Sequence, residues 1–168
     1  NIIVQEINSI SEWDYLENID IVIHLAATQH IIKTKTNINT FKELNIDGTK
    51  RLIDYSIKNK IKKFIYLSTV QVHGDFTNRF ESINENSPYN PQSDYARSKI
   101  AAEEYIIRKF LNFCETKFII IRSPLIYGKG VKGNLKSLKK LLRLNIPIPL
   151  DGVNNSRSLI SLSNITNF

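Results

Sequence analysis

A chain of 168 residues with 42% hydrophobic and 10% aromatic content is long enough for a well-filled core and too apolar to be disordered. Its single cysteine, Cys114, excludes an intramolecular disulfide and a cysteine-rich metal site and fits a reducing cytoplasm. The net charge of +7 comes from scattered lysines, densest at Lys58 to Lys63 and Lys136 to Arg143. These groups fall on predicted helices or their ends, which is the pattern of a solvated basic face and not of a nucleic-acid groove.

The predicted elements alternate along the chain. Asn1-Ile-Ile-Val4 reads as a short apolar strand, and the stretch from Trp13 to Asn18 as helix. Asp20-Ile-Val-Ile-His-Leu25 is the next strand, followed by a long helical pattern from Asn37 to Asn59. Lys63-Phe-Ile-Tyr-Leu-Ser68 is a third strand, Tyr95 to Phe113 a further helix, and Lys117-Phe-Ile-Ile-Ile-Arg122 a fourth strand. None of these runs approaches the length of a membrane span, so no membrane partner is expected. Continuous apolar strands separated by amphipathic helices imply parallel pairing with both sheet faces covered. The fold class is therefore α/β, a doubly wound parallel sheet. Ligands bind such sheets at the carboxyl ends of the strands, which points to His24 to Ala27, Ser68-Thr69 and Ser123-Pro124.

From Gly128 the character changes. Glycines at 128, 130 and 133 precede a basic helical stretch that ends near Asn145. Pro147 and Pro149 interrupt the chain, and Arg157 to Leu162 reads as a short strand. Gly128-Lys-Gly130-Val-Lys-Gly133 matches G-x-G-x-x-G, but a working dinucleotide loop joins strand directly to helix. Here Ser123 to Tyr127 intervene after the fourth strand, so the match is read as a flexible loop.

Tyr95 and Lys99, in Ser93-Asp-Tyr-Ala-Arg-Ser-Lys99, are the most informative pair. Four-residue spacing on a helix puts both side chains on one face. A phenol titrates near pH 10, so a neighbouring ammonium is what favours its phenolate at neutral pH. His30 and His73 invite a metal reading, but no carboxylate or second histidine stands at ligand spacing beside either, and no metal is expected.

The motifs resemble, in order and spacing, the extended short-chain dehydrogenase/reductase family, in its NAD-dependent nucleotide-sugar epimerase/dehydratase group. The matching segments are Asp20-Ile-Val-Ile-His-Leu-Ala-Ala27, Asn45-Ile-Asp-Gly-Thr49, Ser68-Thr-Val-Gln-Val-His-Gly74 and Asn84-Glu-Asn-Ser-Pro88. They continue through Tyr95-x-x-x-Lys99, Arg122-Ser-Pro-Leu-Ile-Tyr-Gly128 and Arg157-Ser-Leu159. Ala26-Ala27-x-x-His30, Gly130-Val-Lys-Gly-Asn134 and Asn155-x-Arg157-Ser-Leu159 resemble a branch of UDP-N-acetylhexosamine epimerases and 4-keto reductases. All six glycines lie at Gly48 or later. The resemblance therefore implies an internal fragment of a longer enzyme, a Rossmann-like sheet lacking the N-terminal βαβ unit with its glycine-rich loop. Residues 1–130 would form the incomplete NAD(P)-binding domain, and residues 131–168 the start of the nucleotide-sugar-binding region.

The resemblance also implies roles. Thr69 would hydrogen-bond the sugar C4 oxygen, Tyr95 move the C4 hydroxyl proton, and Lys99 lower the tyrosine pKa and hold the nicotinamide ribose. Glu6 and Ile7 would lie against adenine. Leu25, Ala26 and Ala27 would pass under the cofactor beside Ser68, Asn45 would support the active-site backbone, and Pro124 would meet the nicotinamide. His73, Asn134 and Arg157, with Thr69, would contact the nucleotide sugar; arginine suits a diphosphate because its planar fork donates two hydrogen bonds. NAD is the implied cofactor, with NADP open because the segment that reads the ribose precedes Asn1.

Dehydratases of the group carry an acidic pair beside the Thr69 position, where this chain has Val70 and Gln71, so dehydration is disfavoured. What remains is a 4-epimerase acting by transient oxidation at C4 of a UDP-hexose or UDP-N-acetylhexosamine, with a 4-keto-6-deoxy sugar reductase as the alternative. A non-catalytic binding or regulatory protein that kept the fold is the reading from another class. An intact Thr69, Tyr95 and Lys99 argues against it. The expected setting is a cytoplasmic homodimer in polysaccharide biosynthesis, with a UDP-sugar as partner and no nucleic acid.

Overall fold

The computed structural model describes residues 18–29, 40–75, 82–112, 115–131, 134–144 and 156–167. The expected strand at Asn1 to Val4, the helical stretch from Trp13, Glu6, Ile7, His30, Pro147 and Pro149 lie outside the described residues. The chain divides into two compact units, residues 1–122 and 123–168, so Gly128 and Gly130 belong with the second.

In the first unit, β1 (Ile21–His24), β2 (Lys63–Thr69) and β3 (Lys117–Ser123) form a three-stranded sheet with β2 in the centre. β1 and β2 run parallel, with Ile21 opposite Lys63 and His24 opposite Tyr66. Between them the chain makes a π-helical segment, Phe41–Asp47, that continues as α1 (Gly48–Lys58). After β2 a short 3-10 turn, Val70–His73, leads toward α2 (Asp94–Leu111). Ser93 caps α2 by accepting from the Ala96 amide at 3.1 Å. Asp94 in the first turn and Arg108 and Lys109 in the last complement the helix dipole. The sequence spacing predicts the three strands and α2 to within two residues and the end of α1 to within one; the π-helical turn and the 3-10 turn are the additions.

The core forms on one sheet face. Leu52 and Ile53 of α1 and Ala102 and Ile106 of α2 close over Phe64 and Tyr66, with Val22, Phe118 and Ile120 packed alongside. These strand residues alternate, as one face of a pleated sheet requires. Positions of opposite parity are open: Ile21, Ile23 and Ile119 are 48%, 60% and 41% exposed. Among the described residues, the helices packed in this core, α1 and α2, lie on the side of Phe64 and Tyr66.

The second unit pairs β4 (Leu125–Tyr127) in parallel with β5 (Leu159–Ser161), Leu125 lying opposite Leu159. α3 (Asn134–Arg143) falls between them and α4 (Leu162–Thr166) follows, capped by Ser161, whose hydroxyl accepts from the Asn164 amide at 3.1 Å. β4 comes directly before Gly128, so the G-x-G-x-x-G run follows a short strand rather than the loop expected at Ser123 to Tyr127. Two of its glycines have local explanations. A Cβ on Gly128 would stand 2.9 Å from that of Leu162, and Gly130 has φ +82°, a left-handed conformation that favours glycine.

Tyr66 lies at the centre of the first unit, 1% exposed, and its hydroxyl has no partner among the described residues. An unsatisfied buried hydroxyl costs about 1–3 kcal/mol. Tyr66→Phe keeps the ring and is expected to leave the unfolding midpoint unchanged or higher in thermal denaturation. A midpoint lowered by several degrees would mean that the hydroxyl is stabilising.

Candidate active site

The carboxyl end of β1 opens into Leu25, Ala26 and Ala27, all exposed. The backbone just beyond is gripped by one side chain. Asn45, 1% exposed in the π-helical segment, accepts from the Thr28 amide at 2.8 Å and donates to the Thr28 carbonyl at 2.9 Å. Its amide nitrogen also donates to Ser98 Oγ at 3.0 Å, and Ser98 Oγ donates to the carbonyl of Tyr95 at 2.7 Å. The extra residue of a π-helical turn is common at functional sites, and here it carries the clamp.

Asn45 also accepts from Thr49 through its own carbonyl, at 2.7 Å. Since the Thr49 proton is used there, its oxygen accepts from His24 Nε2 at 2.8 Å, which assigns the imidazole as the Nε2–H tautomer. His24 is 3% exposed and stacks on Tyr66 with ring centroids 5.5 Å apart. Burial, with a smaller contribution from the Lys99 charge, lowers its pKa to about 4.

Thr69 ends β2, half-buried, and accepts from the Gln71 amide at 3.3 Å. It is thus the cap of the 3-10 turn, and that task leaves its own O–H proton available. Tyr95 stands in the first turn of α2, with Lys99 one turn on. Lys99 is 2% exposed; its ammonium donates to the Leu67 carbonyl at 2.8 Å and lies 4.5 Å from the Tyr66 ring centroid and 5.8 Å from that of Tyr95. Burial lowers the Lys99 pKa to about 8, against the opposing charge of Glu103. Burial raises the Tyr95 phenol, and the ammonium is directed to a β2 carbonyl and the Tyr66 ring.

Ser68 and His73 turn inward. Ser68, 4% exposed, donates to Glu103 Oε1, and His73, 7% exposed, meets the Pro88 carbonyl at 3.1 Å and Arg122 Nη1 at 3.1 Å. In the second unit, Pro124 is half-buried after β3 and Arg157 is exposed ahead of β5. Asn134 opens α3, and its side chain lies outside the described residues. The first unit thus brings together Leu25, Ala26, Ala27, Asn45, Ser68, Thr69, Tyr95 and Lys99. Residues given no role from sequence also belong here: Ser98, Thr49, Tyr89, Glu103 and Arg122. For Glu103 a signal was present, since it follows Lys99 by four residues on the same helix face.

A parallel sheet with paired helices and this Thr-Tyr-Lys set at its carboxyl end is the arrangement of a Rossmann-like short-chain dehydrogenase/reductase. The profile of the NAD dependent epimerase/dehydratase family matches residues 7–149, and the chain belongs to that family. It is 31% identical over 166 residues to UDP-glucose 4-epimerase of Vibrio cholerae, covering 96% of this chain and 50% of the relative. It is 39% identical over 121 residues to dTDP-D-glucose 4,6-dehydratase of Dictyostelium discoideum, covering 67% and 28%. Among solved structures, MoeE5 in complex with UDP-glucuronic acid and NAD superposes with a TM-score of 0.80 at 24% identity, covering 98% of this chain and 56% of that one. The chain spans about half the length, or less, of the curated relatives it matches. No described helix is long and apolar enough to cross a membrane.

The residues present fit a nicotinamide cofactor. The exposed Leu25-Ala26-Ala27 run offers an apolar ledge at the strand end, with small side chains at two of three positions. The Lys99 ammonium, with three protons to donate, has one hydrogen-bond acceptor among the described residues.

His24 generates a pH prediction. Its folded pKa of about 4 lies below the ordinary 6.5, so the unfolded chain takes up the proton first as pH falls. Stability is complete above about pH 6.5 and is lost progressively down to about pH 4, by up to about 3 kcal/mol from this group. Unfolding midpoints measured across that window should fall less steeply for His24→Gln than for the native protein.

Proposed function

We propose that the full-length protein is an NAD-dependent nucleotide-sugar 4-epimerase that transiently oxidises C4 of a UDP-hexose or UDP-N-acetylhexosamine. The observation that carries this reading is the joint placement of Thr69, Tyr95 and Lys99 around the end of β2, with the apolar end of β1 held beside them by Asn45. NAD, when bound, supplies the acceptor and later the donor of hydride at C4.

Thr69, with its proton free, donates to the C4 oxygen and orients it. Tyr95 takes the C4 hydroxyl proton as the carbon is oxidised and returns it to the other epimer. Lys99 places a positive charge beside that proton transfer and offers donors to the cofactor ribose. Asn45 fixes the loop that follows Ala27 and, through Ser98, the backbone of Tyr95 itself. Arg157 and Asn134 are proposed contacts to the nucleotide diphosphate, and Pro124 to the nicotinamide.

Dehydration at C5 and C6 needs a further acid and base. Val70 and Gln71, in the turn directly after Thr69, supply neither, which favours epimerisation over the dehydratase chemistry named for some relatives. Similarity to a UDP-glucose 4-epimerase over 96% of this chain supports the same choice.

Proton NMR of UDP-N-acetylglucosamine incubated with the full-length protein and NAD, without added reductant, should show the galacto epimer. An unchanged spectrum would shift the reading to the reductase, tested next with a 4-keto-6-deoxy sugar and reduced cofactor. In the same assay Tyr95→Phe is expected to lower turnover at least about a hundredfold. Near-normal turnover would sink the mechanism.

A further inference from the structure

Behind Lys99 lies a buried carboxylate for which the proposed chemistry has no task. Glu103 is 0% exposed on α2, one turn beyond Lys99. Ser68 Oγ donates to its Oε1 and the Tyr89 hydroxyl donates to its Oε2 at 2.8 Å. Arg122, on β3, donates to Oε2 from Nε at 3.0 Å and from Nη2 at 2.8 Å. The guanidinium then reaches outward, with Nη1 2.8 Å from the Glu85 carbonyl and 3.1 Å from His73 Nε2. Nη2 also donates to the Tyr89 hydroxyl at 3.0 Å, and the Arg122 guanidinium carbon lies 5.2 Å from the Tyr89 ring centroid.

A buried ion pair is weak evidence for extra stability, because removing both charges from water offsets much of their attraction. Its better-supported use is to select one arrangement among several. Here the arrangement joins three pieces. Ser68 belongs to the strand end that carries Thr69, Glu103 to the helix that carries Tyr95 and Lys99, and His73, Glu85 and Tyr89 to the turn and loop after β2. An Arg–carboxylate fork with two further hydroxyl donors leaves little freedom of rotation at Glu103. Burial and the bond to Glu103 push the Tyr89 phenol up to about 12, so it remains a donor throughout the working range of pH.

We propose that Glu103 is a positioning residue for the reaction: its carboxylate, pinned by Arg122, fixes the strand end bearing Thr69 and the loop at Glu85 to Tyr89 against the helix bearing Tyr95 and Lys99. The proposal rests on the catalytic reading of Thr69, Tyr95 and Lys99. Glu103 touches neither sugar nor cofactor in it, and acts through Ser68 and Arg122.

The test uses the full-length protein with NAD and the UDP-sugar. Glu103→Gln keeps volume and one acceptor but removes the charge. It is expected to lower kcat about tenfold to a hundredfold, the range for an ångström-scale misplacement, while KM for the UDP-sugar stays within about threefold. Arg122→Lys keeps the charge without the fork and should act in the same direction to a smaller degree; it decides the matter if Glu103→Gln does not fold. Deuterium exchange is the second readout. It should quicken at residues 67–73 and 85–90 in the variant and stay as it was in α1. Unchanged kcat, or unchanged exchange in those segments, overturns the proposal. If the native protein interconverts no epimers, the reading of the reaction fails separately, and equal exchange in native and variant protein then overturns the ordering role as well.

Discussion

Asn45 supplies an acceptor and a donor to the backbone of Thr28 and a further bond to Ser98, from a position with almost no solvent access. Buried backbone groups must be paired, and the chain leaving β1 has no strand partner for Thr28 among the described residues. The amide side chain takes the place of that partner. It does so while Ser98 passes the connection to the carbonyl of Tyr95. The end of β1 and the first turn of α2 are therefore held by one residue, and the spacing between the cofactor ledge and the tyrosine depends on it.

Two polar networks meet on either side of Lys99. One runs from His24 through Thr49 to Asn45, and the other from Ser68 and Tyr89 through Glu103 to Arg122. Lys99 lies between them with its ammonium on the Leu67 carbonyl and over Tyr66. Burial disfavours the ammonium and Glu103 favours it, and burial dominates. The same low-dielectric surroundings keep His24 neutral and Tyr95 protonated. Three titratable groups are thus held in their neutral form or pushed toward it by packing, and Glu103 is the charge that works in the other direction on Lys99.

The exposed isoleucines of β1 and β3 set a contrast with the closed core on the other face. Parallel sheets are normally covered on both sides, because their strands are apolar throughout. Among the described residues, α1 and α2 both cover the side carrying Phe64 and Tyr66, and Ile21, Ile23 and Ile119 on the other side are exposed. The carboxyl end of the sheet is nevertheless well organised. Polar bonds between loops and helices hold it.

Local pattern carried much of the architecture. Apolar runs at Asp20 to Leu25, Lys63 to Ser68 and Lys117 to Arg122 specify strands, and a four-residue spacing suffices to place Tyr95 and Lys99 on one helix face. These are short-range properties, so sequence by itself determined them. The partner of a buried polar group is not short-range. That the Ser68 hydroxyl meets Glu103, 35 residues away, is not visible in the local pattern. Nor is the pairing of the two His73 ring nitrogens with Pro88 and Arg122. Whether Lys99 addresses the phenol of Tyr95 or the carbonyl of Leu67 is likewise a matter of how α2 packs on β2. The tertiary structure decided these points, because hydrogen-bond direction and the local dielectric exist only once distant segments are packed together.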